Sequence, residues 1–454
     1  MLTAINPATG DLLNEYAEMT PDQVSGRLER AQRAFKDWRT TRFAERAALI
    51  KTAARILSEK KNTLARTMAL EMGKPVQSGR VEIEKCAWVC EFYAEHAEQM
   101  LKPKMVPTDA HKSYVTYNPL GVILAIMPWN YPFWQVFRHV APGLMAGNGV
   151  VLKHASNVPG CSTAIADIFQ KAGFPENLFQ NFLITGRQTG RIIEHPAIRA
   201  VTLTGSKAAG QAVAARAGKL LKKTVLELGG SDPSIILEDA DLEKTMESCV
   251  ASRLLNSGQS CIAAKRFIVV KDVYQQFVQM FVEKMRAQKI GDPFDETVDI
   301  GPQARTDLRD ELHRQVTQSI EKGAICLLGG EIPKGKGAFY PATVLSEVAK
   351  GMPAFDEETF GPVAAIIGVK NEKQAVEVAN DSAFGLGAAV FTRDADRGER
   401  IAANELEAGN CFVNAFVKSD PRLPFGGVKE SGYGRELSHY GLKEFVNIKT
   451  VYVQ

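Results

Sequence analysis

The sequence lacks any apolar run near the roughly 20 residues that a membrane-spanning helix needs; Val122 to Pro128 falls far short. Its N-terminus, Met1-Leu-Thr-Ala-Ile-Asn-Pro7, has no basic stretch leading into an apolar one, so it does not read as a secretory signal. No tight Cys-x-x-Cys occurs, and the seven cysteines are odd in number and scattered. That excludes a disulfide framework and implies reduced thiols, one of which can be reactive, in a cytoplasmic protein. The histidines fall at no metal-ligand spacing, so no metal site is expected. Basic and acidic residues nearly balance at a net +3, and the basic clusters Lys222-Lys223 and Lys334-Gly-Lys336 are short. Neither a nucleic-acid partner nor a membrane partner is expected.

What is present is ordinary for a large globular enzyme: 454 residues, 45% hydrophobic and 24% charged, enough for about three domains. Thr20, Pro21 and Gln23 form a helix start with a capping box, and Val24, Leu28, Ala31, Phe35 and Trp38 follow at helical spacing. A second helix is expected from Ala44 to Gly73 and a third from Val81 to Met100. Strand and helix patterns then alternate. Strands are expected at Tyr114–Tyr117, Val122–Ile126, Val150–Lys153, Asn181–Ile184, Ala200–Thr204 and Val225–Leu228, with helices after Pro159, near Gln188 and from Ser206. This predicts a parallel, doubly wound sheet that binds its ligand at the carboxyl ends of the strands. From about Ser231 a second α/β region adds strands at Ser234–Leu237 and Arg266–Val270, with helices at Ala240–Leu255 and Val273–Ile290. The last ten residues, Phe445 to Gln454, read as a strand that pairs either across a subunit interface or at an edge within the chain.

Four segments can carry chemistry. In Asn256-Ser-Gly-Gln-Ser-Cys261 a Gly-containing loop after a helix can hold a thiol exposed. As a nucleophile it needs surroundings that favour thiolate. Glu227, in the apolar strand Val225-Leu-Glu-Leu and followed by Gly229-Gly230, is a carboxylate that burial would push toward the range of a general base. Asn130, in Met127-Pro-Trp-Asn-Tyr-Pro132, can aim an amide at a developing oxyanion. Thr204-Gly205-Ser206 is a strand-to-helix turn that offers backbone N–H groups to a phosphate, although the G-x-G-x-x-G fingerprint is missing there. Taken singly, the first three also have bland readings, an inert thiol, a structural salt bridge and a turn residue, and the fourth is weak as a lone motif.

Taken together and in order, they resemble the aldehyde dehydrogenase superfamily. The resemblance rests on Pro128-Trp129-Asn130, Lys153, Thr204-Gly-Ser206, Glu227-Leu-Gly-Gly230, Gly258-Gln-Ser-Cys261, Glu357-Glu-Thr-Phe-Gly-Pro362 and Pro424-Phe-Gly-Gly427, and it spans nearly the whole chain. It implies an α/β fold with a Rossmann-type cofactor domain (1–105 and 121–228), a catalytic domain (229–435) and a small β oligomerisation element (106–120 and 436–454) in a homodimer or homotetramer. It implies that the Cys261 thiolate attacks an aldehyde to give a thiohemiacetal, whose oxyanion is held by Asn130 and the Cys261 N–H. Hydride transfer would then leave a thioester that Glu227 hydrolyses through water. Lys153 and Glu358 would bond the cofactor riboses, Phe360 would pack near the nicotinamide, and Trp129, Gly205 and Ser206 would line the cleft. Glu436 can take part in proton relay.

Two positions bear on specificity. NAD-preferring relatives usually carry Glu three residues after the lysine; here Ser156 removes that repulsion and offers a hydroxyl, which favours NADP with NAD also possible. Arg138, on the helix after Asn130, suits a substrate carboxylate, and Ser419 in Val417-Lys-Ser-Asp could bond the same group. At these points the chain is similar to short bacterial and cyanobacterial succinate semialdehyde dehydrogenases. It departs from many of them in having Leu255 where a second Arg stands, with Arg253 nearby. Alternatives are another small aldehyde, a catalytically silent protein of the same fold, or a cysteine hydrolase, which would need a His base and no dinucleotide.

Overall fold

The computed structural model describes residues 1–454. Its first helix, Pro21–Trp38, begins as the sequence predicts: Thr20 and Gln23 cap each other reciprocally, and the five apolar positions from Val24 to Trp38 are the buried ones. The second expected helix is two, Phe43–Glu59 and Lys61–Met72, broken at Lys60 and closed by Gly73 in a left-handed turn. The third starts earlier than expected and runs Val76–Met100 from Pro75. Its Gly79 allows the close approach to helix Lys61–Met72, since a Cβ there would sit 3.0 Å from Ala65.

A six-stranded sheet follows, ordered Phe179–Asn181, Gly149–His154, Val122–Met127, Ile198–Thr204, Lys223–Glu227 and Gly432–Tyr433. The first five strands are parallel and the last is antiparallel. The order in which strands are added reverses between Val122–Met127 and Ile198–Thr204, the point where doubly wound sheets open a ligand crevice at their carboxyl ends. One strand is displaced from expectation: Phe179–Asn181 pairs in the sheet, whereas Phe182 and Ile184 are buried beyond its end as irregular chain.

The second sheet has seven strands: Ile325–Leu328, Thr343–Ser346, Val363–Val369, Arg266–Val270, Pro233–Ile236, Gly387–Phe391 and Asn410–Val413. All are parallel except the antiparallel Ile325–Leu328 edge. The helix expected over Val273–Ile290 spans Lys271–Arg286. After Asn410–Val413 the chain crosses back, so Gly432–Tyr433 bonds to the strand of Glu227 in the first sheet. The terminal strand Val446–Val453 pairs antiparallel along the whole of Lys112–Pro119, and Lys104–Met105 lies on the far side of that strand. Of the two readings of the C-terminus, pairing within the chain is therefore realised, and the outer edge of Val446–Val453 carries no neighbour. The small sheet begins at Lys104, slightly before the expected boundary at 106, because Lys104 and Met105 bond to Val115 and Tyr114. No helix is long and apolar enough to cross a membrane.

The helix that carries Arg138, Trp134–Met145, has no cap of its own at Phe133. A distant carboxylate supplies it: Glu82 accepts from Phe133 N and Trp134 N at 2.9 Å each. Lys74, fully buried, forms an ion pair with the same Glu82. A buried carboxylate is tolerable with a cation and two helix-start N–H donors, whose dipole favours it. The pairing fixes the segment from Asn130 to Arg138 against helix Val76–Met100.

Candidate active site

Every residue expected to touch cofactor in the first sheet lies at or just past a strand's carboxyl end. Trp129 and Asn130 follow Met127, Lys153 sits in the strand ending at His154, Gly205 and Ser206 follow Thr204, and Glu227 is the last residue of its strand. Ser206 caps helix Lys207–Gly218, its hydroxyl accepting from Ala209 N at 3.4 Å. Trp129 and Phe360 meet edge to face, with ring centroids 5.7 Å apart. Glu358 Oε1 accepts from Gly230 N at 3.0 Å. The two glycines after Glu227 thereby acquire a reason: a Cβ on Gly229 would strike the Glu358 carboxylate, and one on Gly230 would lie 2.7 Å from Cys261 O. These residues fit a dinucleotide. Lys153 is half-buried with its pKa lowered by burial and without an ion pair, Gly205 and Ser206 open a helix N-terminus, and exposed Ser156 is free of any carboxylate neighbour in sequence.

The loop before Cys261 is held in a strained form. Asn256, Ser257 and Gly258 all have positive φ, at 56°, 55° and 77°. Such runs are costly for non-glycine residues and persist where surrounding structure enforces them. Here Asn256 Nδ2 donates to Asn130 O at 2.8 Å and to Gln259 O at 3.0 Å, and Asn130 Nδ2 donates to Gln259 O at 3.1 Å. Arg253 lies beneath the loop, fully buried, with Nη2 donating to Gly258 O at 2.8 Å. It thus faces the loop, and Leu255 lines the cavity in front of Cys261. Gly258 must be glycine, because a Cβ would collide with the Gly361 carbonyl. Lys265 Nζ donates to Ser260 O at 2.8 Å and Cys261 O at 2.5 Å, pinning the far side. The Cys261 N–H makes no hydrogen bond within the chain, and one Asn130 amide hydrogen is left over after Gln259.

Electrostatically the site is poised in its protonated form. Burial pushes the Cys261 thiol up to about 12, with Glu227 adding to the shift. The residue is half-buried in the cavity wall, where desolvation outweighs the cations Lys265 and Arg138. Glu227, 1% exposed, is raised to about 8, again mainly by burial. Both of its oxygens lack hydrogen-bond partners. Arg138 lowers it and Glu436 raises it. Arg138 is buried between these carboxylates: it pairs with Glu436, lies 3.9 Å from Glu227 Oε2, and donates to Thr204 Oγ1 at 3.3 Å. Glu436 therefore reaches the site from beyond residue 435, carried in by its backbone pairing with Phe425.

The cavity ending at Cys261 has a volume of about 440 Å³ and is walled by Arg138, Ser419, Trp134, Phe425, Leu255 and Lys85, among others. The expected pair Arg138 and Ser419 thus line one space with Cys261. Lys85 was not legible as a site residue: it lies on helix Val76–Met100, far in sequence from any motif, and only the fold brings its Nζ to 2.8 Å from Ser419 Oγ. No group of three or more His, Cys, Asp or Glu could hold a metal ion.

A parallel dinucleotide-type sheet beside a half-buried cysteine and a buried carboxylate is the arrangement of an oxidoreductase that works through a covalent intermediate. The chain belongs to the aldehyde dehydrogenase family, which it matches over residues 1–451, and it is an NAD(P)-dependent enzyme acting on an aldehyde. A probable NADP(+) succinate-semialdehyde dehydrogenase of Synechocystis sp. is 48% identical over 452 residues, covering 100% of this chain and 99% of that one. An NAD(P)+ succinate semialdehyde dehydrogenase of Escherichia coli is 47% identical, covering 99% and 97%. Among solved structures, succinic semialdehyde dehydrogenase from Streptococcus pyogenes in complex with NADP+ superposes with a TM-score of 0.98 at 36% identity, covering all of both chains.

Proposed function

We propose that this enzyme oxidises succinate semialdehyde to succinate with NADP, NAD serving less well. The observation that carries the reading is the single cavity that joins Cys261 to a wall bearing Arg138 and Ser419. A cationic, hydroxyl-bearing wall suits an aldehyde with a carboxylate at its other end. The names of the relatives point the same way. The reading is tested by kcat/KM for succinate semialdehyde and for butyraldehyde, which lacks the carboxylate. A preference on the order of a thousandfold or more is expected, since buried donors left unpaired penalise the analogue; a ratio within about tenfold, worth ~1.4 kcal/mol, would reject it.

In the mechanism we propose, Cys261 loses its thiol proton to solvent through the cavity as Sγ bonds to the aldehyde carbon, so that Glu227 stays free as a carboxylate for the later step. The resulting oxyanion is held by the spare Asn130 N–H and the unused Cys261 N–H. The bound dinucleotide supplies a hydride acceptor. Loss of hydride from the thiohemiacetal carbon leaves a thioester on Cys261. Glu227 then takes a proton from the attacking water, the C–S bond breaks, and the carboxylate product departs. Arg138 and Glu436 set how readily Glu227 gives up its own proton. Trp129, Lys153, Gly205, Ser206, Glu358 and Phe360 hold the cofactor, between the unit 1–105 with 121–228 and the unit 229–435.

For cofactor choice we infer that Ser156 is decisive. Ser156→Glu is expected to lower kcat/KM with NADP by roughly 30-fold or more, the scale of an unpaired like-charge contact, while leaving NAD turnover far less affected. Equal effects on both would dismiss the assignment. The free edge of Val446–Val453, with Ile448 and Tyr452 exposed, supports assembly into a homodimer or homotetramer. Seven free cysteines support a reducing, cytoplasmic location.

A further inference from the structure

We infer that Lys85, held by Ser419 over the face of Trp134, is the residue that receives the carboxylate of the substrate and so determines specificity, while Arg138 chiefly positions Glu227. This rests on the reading of the substrate as a carboxylate-bearing aldehyde and adds the group that recognises it.

Four cations line the cavity with Cys261; Lys74 is paired with Glu82 and Lys418 is exposed, and the remaining two, Arg138 and Lys85, differ in what already occupies them. The Arg138 guanidinium is paired with Glu436, approached by Glu227 and bonded to Thr204. Its charge is already countered inside the protein. Lys85 is half-buried yet enters no salt bridge. Its one hydrogen bond, at 2.8 Å, goes to the neutral Ser419 hydroxyl, and its ammonium stands 4.3 Å from the Trp134 ring centroid. An ammonium carries three donors, so two remain. A desolvated cation without a counter-charge is costly unless something negative completes it. The indole face offsets part of that cost and fixes the direction of the Nζ. The Ser419 hydroxyl, as acceptor from Lys85, keeps its own proton free for the same anion. The site thus presents three donors from two side chains at one place, in the cavity that Cys261 also lines.

The charge on Lys85 is also adjustable. Burial, assisted by Arg138, lowers its pKa to about 8, against the opposing pull of Cys86, Asp420 and Glu82; Lys74 and Lys418 line the same cavity. A lowered lysine is charged below that value and neutral above it. KM for an anionic aldehyde should therefore climb as pH rises past about 8, beyond any change seen with a neutral aldehyde.

The test measures kcat/KM, with kcat and KM separated, for succinate semialdehyde and butyraldehyde on the wild type, Lys85→Met, Lys85→Arg and Ser419→Ala. Lys85→Met is expected to cut the succinate semialdehyde preference by roughly 30-fold or more, mainly through KM. Lys85→Arg should retain most of the preference and abolish the climb in KM above pH 8, because guanidinium stays charged. Ser419→Ala should lower the preference in the same sense and by less. An unchanged preference in Lys85→Met, or a loss confined to kcat, would overturn the inference while leaving the substrate reading intact. A wild type with no preference for the carboxylate would overturn both. Should Lys85→Met fold poorly, the pH dependence of KM in the wild type against Lys85→Arg decides the matter, and identical profiles would reject it.

Discussion

Replacing Cys261 by alanine is expected to lower dehydrogenase turnover by roughly 10⁴-fold or more, the scale on which removing a covalent nucleophile acts. No other thiol can substitute. Cys86, Cys90, Cys161 and Cys249 are buried and raised by desolvation, and Cys326 and Cys411 do not line the cavity. The fold should survive, because Cys261 is half-buried and the loop is fixed by the Asn130–Asn256–Gln259 hydrogen bonds and Lys265, none of which uses Sγ. Thermal unfolding and NADP binding should match the wild type within error, while reduced cofactor ceases to form. Appreciable NADPH production by this variant would remove Cys261 from the chemistry.

Glu227→Gln is the second large effect. Glutamine keeps the shape and removes the base, so kcat should fall by about 10²–10⁴-fold. The pH profile provides the sharper reading. Burial raises the Glu227 carboxyl to about 8, so its proton is retained below that pH and the base form fills above it. Wild-type kcat should therefore rise with pH through this region. Glu436 is raised too and interacts with Glu227, so the limb belongs to the pair and is broadened. The variant should lack the limb and accumulate acylated enzyme. A variant that keeps the rising limb would assign it to another group.

Much of this was legible in the sequence because it is local. The Thr20–Gln23 capping box and the five buried positions of the first helix depend only on neighbours in the chain. So do the parallel strands, whose apolar runs end where Asn130, Lys153, Ser206 and Glu227 project. The misplacements have non-local causes. Nothing at Lys60 breaks the helical pattern, since neither Gly nor Pro marks it. Val76–Met100 begins ahead of the expected Val81, because the close packing on Ala65 that makes Gly79 useful is invisible locally. The terminal strand finds its partner more than three hundred residues earlier, at Lys112–Pro119. The site divides in the same way. Motif residues could be found, but the Glu82 carboxylate that caps the Arg138 helix, the Arg138–Glu436 contact and the Lys85–Ser419 bond each unite distant segments. The protonated state of Cys261 follows from depth, which no motif encodes.

The central claim is that an acyl group from a carboxylate-bearing aldehyde passes through a thioester on Cys261, and it can be observed directly. Glu227→Gln enzyme would be mixed with succinate semialdehyde and NADP, quenched in acid after one turnover, and read by intact and peptide mass spectrometry. The account predicts a mass increment of one succinyl group, on the peptide containing Cys261, formed in step with the first equivalent of NADPH. NADPH release without any adduct, or an adduct on a different cysteine, would contradict it.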